Sequence, residues 1–216
     1  VEEGGLTQAQ VVAALGLPAT FDPMTFDAFS TTLTAAEKTT ALSVEKVAQK
    51  VMAAVTTFAA VAEGSGVSAA LAFEGAMSSV VAQVAVASAA SGTMTVSAAD
   101  IDAISALMSD QYDAGGKFKA AVDAGSATKA TYTTQATSTT DAIKNVAAAI
   151  TAVTSEDLAA SKDLFSVVQV MQDQVKAAAA STNTSGIATA VAMATATDAN
   201  GDGIADVVAT AAANKA

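Results

Sequence analysis

Cysteine, histidine, arginine and tryptophan are all missing from this chain of 216 residues. Without cysteine there can be no disulfide, no thiolate zinc site and no thiol nucleophile. That absence also fits secretion by a route that avoids disulfides. Without histidine the usual general base, the commonest transition-metal ligand and any Ser-His-Asp triad are excluded. All ten basic residues are lysines, so no side chain can clamp a phosphate or carboxylate with two parallel hydrogen bonds. Aromatic residues make up only 4%. A core built without them relies on small side chains, which let helices approach closely but bury little area per contact. Positive charge is scarce as well: the ten lysines face 21 acidic residues, a formal net charge of −11. Such a surface repels nucleic acid and anionic membranes and attracts calcium.

What is present is 52% hydrophobic and 14% charged, a balance opposite to that of disordered chains. Alanine dominates, with valine next, and the length suits one domain or two small ones. Val44, Val47, Val51, Val55, Phe58 and Ala62 recur at intervals of three and four up to Gly64, which predicts a long amphipathic helix. Ile101, Ile104 and Met108 repeat the pattern, as do Leu164, Val168, Met171 and Val175. Capping boxes at Thr7–Gln10, Thr34–Glu37 and Ser97–Asp100 mark helix starts. Ser68 and Thr154 offer further caps. "FDPMTFD", from Phe21, reads as a turn or as a helix start with Pro23 in its first turn. "GSGVS", from Gly64, reads as a turn between helices rather than a phosphate cradle. From Lys117 to Val153 the helical pattern weakens, and "AGSATKATYTTQATSTT" is either loop or one face of a long helix. No run of strands is evident. The expected fold is all-α: an up-and-down bundle of five to six helices with an Ala/Val core over residues 1–197, then a loop and terminal helix over 198–216. The least polar stretch, Val67 to Ala90, holds Glu74 and Gln83 and reads as a bundle helix; no membrane span is expected. The chain opens at Val1 with no signal segment in view, which reads as a processed chain or a piece of a longer one.

The most explicit chemistry lies in "DANGDGIADVV", residues 198–208. Asp198, Asn200 and Asp202 alternate, and Asp206 follows four residues later. Alternate oxygen-bearing side chains converge on one point when the chain between them turns tightly, and Gly201 and Gly203 permit that turn. Hard oxygen donors at this spacing suit Ca²⁺, which takes 6–8 of them. The first half matches an EF-hand loop. The second half does not, since Ala209 stands where the bidentate glutamate belongs. The pattern D-x-N-x-D-G-x-x-D is similar to the calcium loops of bacterial thrombospondin-type-3, dockerin-like and FG-GAP repeats. That resemblance implies side-chain ligands from Asp198, Asn200, Asp202 and Asp206 and a backbone carbonyl from Ile204. A site without the glutamate is expected to be weak, in the range of extracellular modules at ~10⁻⁴–10⁻³ M. The plain alternative is an Asx-type turn capping the last helix, with no metal.

The first 64 residues carry a second resemblance. A Leu-Gly-Leu helix end, then "FDPMTFD", then a long alanine-rich helix, is similar to helical modules of very large secreted bacterial surface proteins, including calcium-dependent adhesins and the RTX kind. The resemblance implies an extracellular or cell-surface location, calcium-linked stability, and a spacer, scaffold or adhesive role. Partners would be other modules of a longer chain or further copies of this one, and not nucleic acid. No enzymatic activity is expected: G-x-S-x-G, P-loop and dinucleotide motifs are missing. The adjacent acids Glu2-Glu3 and Glu156-Asp157 would point in different directions from a helix. Two other readings compete. An alanine-rich bundle could polymerise as a filament or lattice subunit. Met52, Met77, Met94, Met108, Met171 and Met193 could line a pliable pocket for a pigment or lipid, or simply pack the core. Threonine-rich helix faces near Thr128–Thr140 suggest an ice-binding surface, but the regular eleven-residue period is missing.

Overall fold

A computed structural model describes residues 6–152, apart from 20, 29, 31 and 91, together with residue 177. Six helices lie in that span: α1 (Gln8–Ala14), α2 (Ala35–Gly64), α3 (Ala69–Ala89), α4 (Ala98–Asp110), α5 (Lys119–Asp123) and α6 (Lys129–Ala152). There is no strand among the described residues. The fold is the expected all-α bundle. The segments read as helices beyond Val153, including the Thr154 cap, and the 198–216 unit lie outside the described residues.

Helix starts follow the local chemistry. The Thr34 hydroxyl accepts from the Glu37 N–H, and the Glu37 carboxylate accepts in return from the Thr34 N–H at 2.8 Å. The same reciprocal pair forms at Thr7–Gln10 and at Ser97–Asp100. Each satisfies two backbone donors that a helix start leaves orphaned. Ser68 stands at the N-cap of α3 as its position suggests, but its hydroxyl makes no capping bond. "FDPMTFD" forms a turn and not a helix: the Asp22 carboxylate accepts from the Met24 N–H at 3.0 Å and from the Thr25 hydroxyl at 3.1 Å. "GSGVS" is the turn from α2 to α3. Gly66 there has φ +101°, and a Cβ on it would run into the Ser126 carbonyl.

Four long helices enclose the core. α2 packs on α3 and α6, and α4 closes the ring between α3 and α6. Neighbours run antiparallel. The Lys46 ammonium near the start of α2 donates to the Thr151 carbonyl at the end of α6. At the far end, the Thr128 N–H reaches the Ser65 carbonyl. α1 lies outside the ring against α3. Its last carbonyl, on Ala14, accepts from the Met94 N–H in the α3–α4 loop. That loop is held from inside as well, because the buried Lys50 ammonium donates to the Thr95 carbonyl at 3.0 Å. Burial holds Lys50 below the ordinary lysine range, Lys46 pushes it the same way, and Asp100 opposes. Next to Thr95, Val96 sits at φ +51° with its side chain fully buried. A β-branched residue there is a strained outlier, held by the packing of its side chain.

The interior mixes small and large residues. Alanines 54, 62, 72 and 76 let the helices close, and Val55, Phe58, Ile101, Ile104 and Met108 fill between them, all at 0% exposure. α3 meets this core along Ala72, Gly75, Ala76, Ser79 and Val80. Its other face leaves Phe73 and Val86 exposed. By length and composition α3 is long and apolar enough to cross a membrane. The weak stretch after Lys117 resolves into two pieces. A single turn of helix, α5, is followed by a break at residues 124–128, and then α6 runs without interruption through the threonines.

Candidate functional site

Asp198, Asn200, Asp202, Ile204 and Asp206, the expected calcium ligands, lie outside the described residues. Among the described residues no three acidic side chains come together in a way that could hold a metal ion. Of the methionines considered for a pocket, Met94 and Met108 are fully buried in the core, Met52 and Met77 are exposed, and Met171 and Met193 lie outside the described residues.

An open concavity with both polar and apolar lining lies elsewhere, between α4 and α6, with a volume of about 380 Å³. α4 contributes Asp102, Ser105, Ala106 and Ser109, one face of a helix at intervals of three and four. α6 contributes Tyr132, Thr133, Ala136, Thr137, Thr140, Asp141 and Lys144. The threonine-rich stretch is therefore a helix face, and it lines a groove.

α6 tolerates so many threonines because their hydroxyls bond to the helix itself. Thr133 donates to the Lys129 carbonyl at 2.9 Å, Thr137 to Thr133 at 3.3 Å and Thr140 to Ala136 at 2.7 Å. Bonds of this kind satisfy the side chain without a tertiary partner. Thr140 also reaches across to the Ser105 hydroxyl at 3.1 Å, tying α6 to α4. At one end of the groove the Lys144 ammonium lies 2.6 Å from the Asp102 carboxylate and 4.0 Å from that of Asp141.

Beneath the groove lies an aromatic corner. The chain has two tyrosines, and both are here. Tyr112 and Tyr132 have ring centres 5.1 Å apart, and Phe118 packs edge-on against Tyr112 at 4.9 Å. The Tyr112 hydroxyl shares a short hydrogen bond with Ser65 at the end of α2. Burial pushes the Tyr112 phenol up to about 12, with the Ser65 bond opposing. Tyr132 is displaced upward still further, by burial first and by Tyr112 second. The Ser105 hydroxyl beside it tempers the rise, yet the Tyr132 hydroxyl, fully buried, makes no well-formed hydrogen bond.

One turn along α6, the Gln135 amide is buried with neither its nitrogen nor its oxygen paired. A buried amide without partners costs about 1–3 kcal/mol. Gln135→Met, similar in shape but without the amide, is expected to raise the urea midpoint by an equivalent of about 1–2 kcal/mol. A lowered midpoint would mean that an ordered water satisfies the amide in solution.

Residues 102–109 and 132–144 are far apart in the chain, and no cue to their meeting lay in the sequence. No family model, curated protein or solved structure matches this chain at a significant level.

Proposed function

We propose that this protein is a non-catalytic structural or adhesive module of a secreted, calcium-binding bacterial surface protein. It acts outside the cell as a scaffold for other modules or for further copies of itself. The observation that carries the reading is the conjunction of an alanine-rich helix bundle with the D-x-N-x-D-G-x-x-D stretch at residues 198–206. The bundle buries alanines where its helices meet. Its charge of −11 disfavours nucleic acid as a partner and favours divalent cations. Asp198, Asn200, Asp202, Asp206 and the Ile204 carbonyl would hold the Ca²⁺.

The test is a thermal melt with about 5 mM CaCl₂, a concentration above the ~10⁻⁴–10⁻³ M dissociation constants of such modules, and again with EDTA. Calcium is expected to add about 1–2 kcal/mol by mass action, a rise of about 2–8 °C in a chain of this size. Asp202→Ala should abolish the difference. Identical melts for the unmodified protein would reduce the loop to a helix cap and remove calcium from the proposal.

A further inference from the structure

We propose that the groove between α4 and α6 binds a small neutral polyol, of the size and hydrogen-bonding character of a single sugar ring. The proposal goes beyond the calcium-module reading and does not depend on it, because every residue it uses lies between Asp102 and Lys144.

The volume sets the size. At about 380 Å³ the groove lies at the lower end of the range for small-molecule sites, enough for one ring and too little for a long lipid. The charges set the class. Lys144 stands between Asp102 and Asp141, two carboxylates against one ammonium. An anion meets a net negative end, and a cation meets acids already engaged by the lysine. A neutral molecule incurs neither cost.

The hydroxyls set the hydrogen-bonding pattern. Thr133 and Thr137 give their protons to carbonyls of their own helix, so toward the groove their oxygens offer lone pairs, while the Thr140 hydroxyl is taken up by the Ala136 carbonyl and by Ser105. The carboxylates of Asp102 and Asp141 are acceptors too. A wall of acceptors calls for a molecule with several donors and no charge, which describes a polyol. One group runs the other way. The Tyr132 phenol forms part of the groove's floor, is fully buried, and has no partner for its proton. A buried polar group left unpaired needs an explanation, and unlike the unpaired Gln135 amide on the same helix, the Tyr132 phenol borders the groove. A sugar hydroxyl both accepts and donates, so one such oxygen can take the Tyr132 proton while giving its own to the threonine wall. Ser105, which lies beside the phenol, turns about a single bond and is tied only through Thr140. A ligand hydroxyl that replaces the Ser105–Thr140 bond reaches the phenol. Ala106 and Ala136 supply the apolar surface for the C–H face of a ring.

The experiment is an amide-resonance titration of the full chain with glucose, galactose, mannose and N-acetylglucosamine, with glucuronate and glucosamine as charged counterparts. Saturable shifts confined to residues 102–109 and 132–144 with at least one neutral sugar, weaker with the charged pair, are expected. Tyr132→Phe should weaken that binding about tenfold, the loss of one well-placed hydrogen bond, without lowering the melting temperature, because the orphaned hydroxyl is removed. Thr137→Val, on the rim, should weaken binding while leaving the fold intact. Methyl glycosides that bind as well as the free sugars would point to the end of a glycan as the natural source, and binding lost on methylation to a free sugar. Absence of localised shifts with all four neutral sugars would overturn the proposal. So would preference for a charged counterpart, or unchanged binding by both variants.

Discussion

Taking the protein from about pH 10, where an ordinary tyrosine ionises, to pH 12 is expected to unfold the bundle. The sign follows from which state holds its protons longer. In the unfolded chain both phenols ionise near pH 10. In the fold, burial holds Tyr112 protonated up to about 12 and Tyr132 beyond that. Stability is therefore complete below pH 10 and falls as the pH rises toward the folded values. Each retained proton costs about 1.4 kcal/mol per pH unit across that window. Two tyrosines together remove about 5 kcal/mol by pH 12, comparable with the whole stability of many domains. Lys50, already displaced downward, acts in the opposite sense: the fold favours its neutral form. The measurement is direct because tryptophan is missing, so near-ultraviolet change reports phenolate alone. Phenolate absorbance and loss of helical circular dichroism should rise together, with a midpoint above pH 10. Phenolate appearing near pH 10 in a chain that stays helical would show that the tyrosines are not buried as described.

The second large effect is expected at Gly75. In most helix interiors, changing glycine to alanine stabilises by about 1 kcal/mol. Here it should destabilise by about 2 kcal/mol, because overpacking a filled core typically costs 1–3 kcal/mol beyond any gain in propensity. A Cβ on Gly75 would lie 2.3 Å from Cζ of the Phe118 ring, and that ring is fully buried against Tyr112 with no room to retreat. Phe118→Ala should cost more, about 3–5 kcal/mol. The diagnostic is the pair. With Phe118→Leu already in place, Gly75→Ala should turn neutral or stabilising, and the double-mutant cycle should give a coupling of about 2 kcal/mol. A Gly75→Ala variant more stable than the parent would mean that the ring does not sit against the α3 backbone.

Much of the fold was legible because its determinants are local. Thr34 and Glu37, or Ser97 and Asp100, need only a three-residue spacing to cap a helix, and the valine stripe of α2 needs only the helical period. The break before Lys129 was harder to see. The alanines and threonines of this stretch suit loop and helix alike, and the choice is made by where Tyr132 and Ile143 bury. The groove was not legible at all. Asp102 and Lys144, or Ser105 and Thr140, become neighbours only when α4 and α6 pack antiparallel, and nothing in either segment names the other. The same is true of Gly75 and Phe118, whose fit depends on a helix surface that lacks a side chain at one point. The aspartate loop was the reverse case: its chemistry is local, so the sequence suggests it without help from the fold.

The antiparallel ring has a mechanical consequence. The chain leaves α6 where Thr151 meets Lys46, about three turns into α2 and on the side of its start. Ser65, Tyr112 and Thr128 gather at the other end. A pull between residues 34 and 152 would therefore peel α2 from α6 one contact at a time, rather than shear the two helices along their length. Resistance to such a pull is set by the rate of unfolding, and a peeling geometry loads few bonds at once. A link under tension would want its two attachments at opposite poles. In this bundle the aromatic corner lies at the pole opposite the Lys46–Thr151 contact.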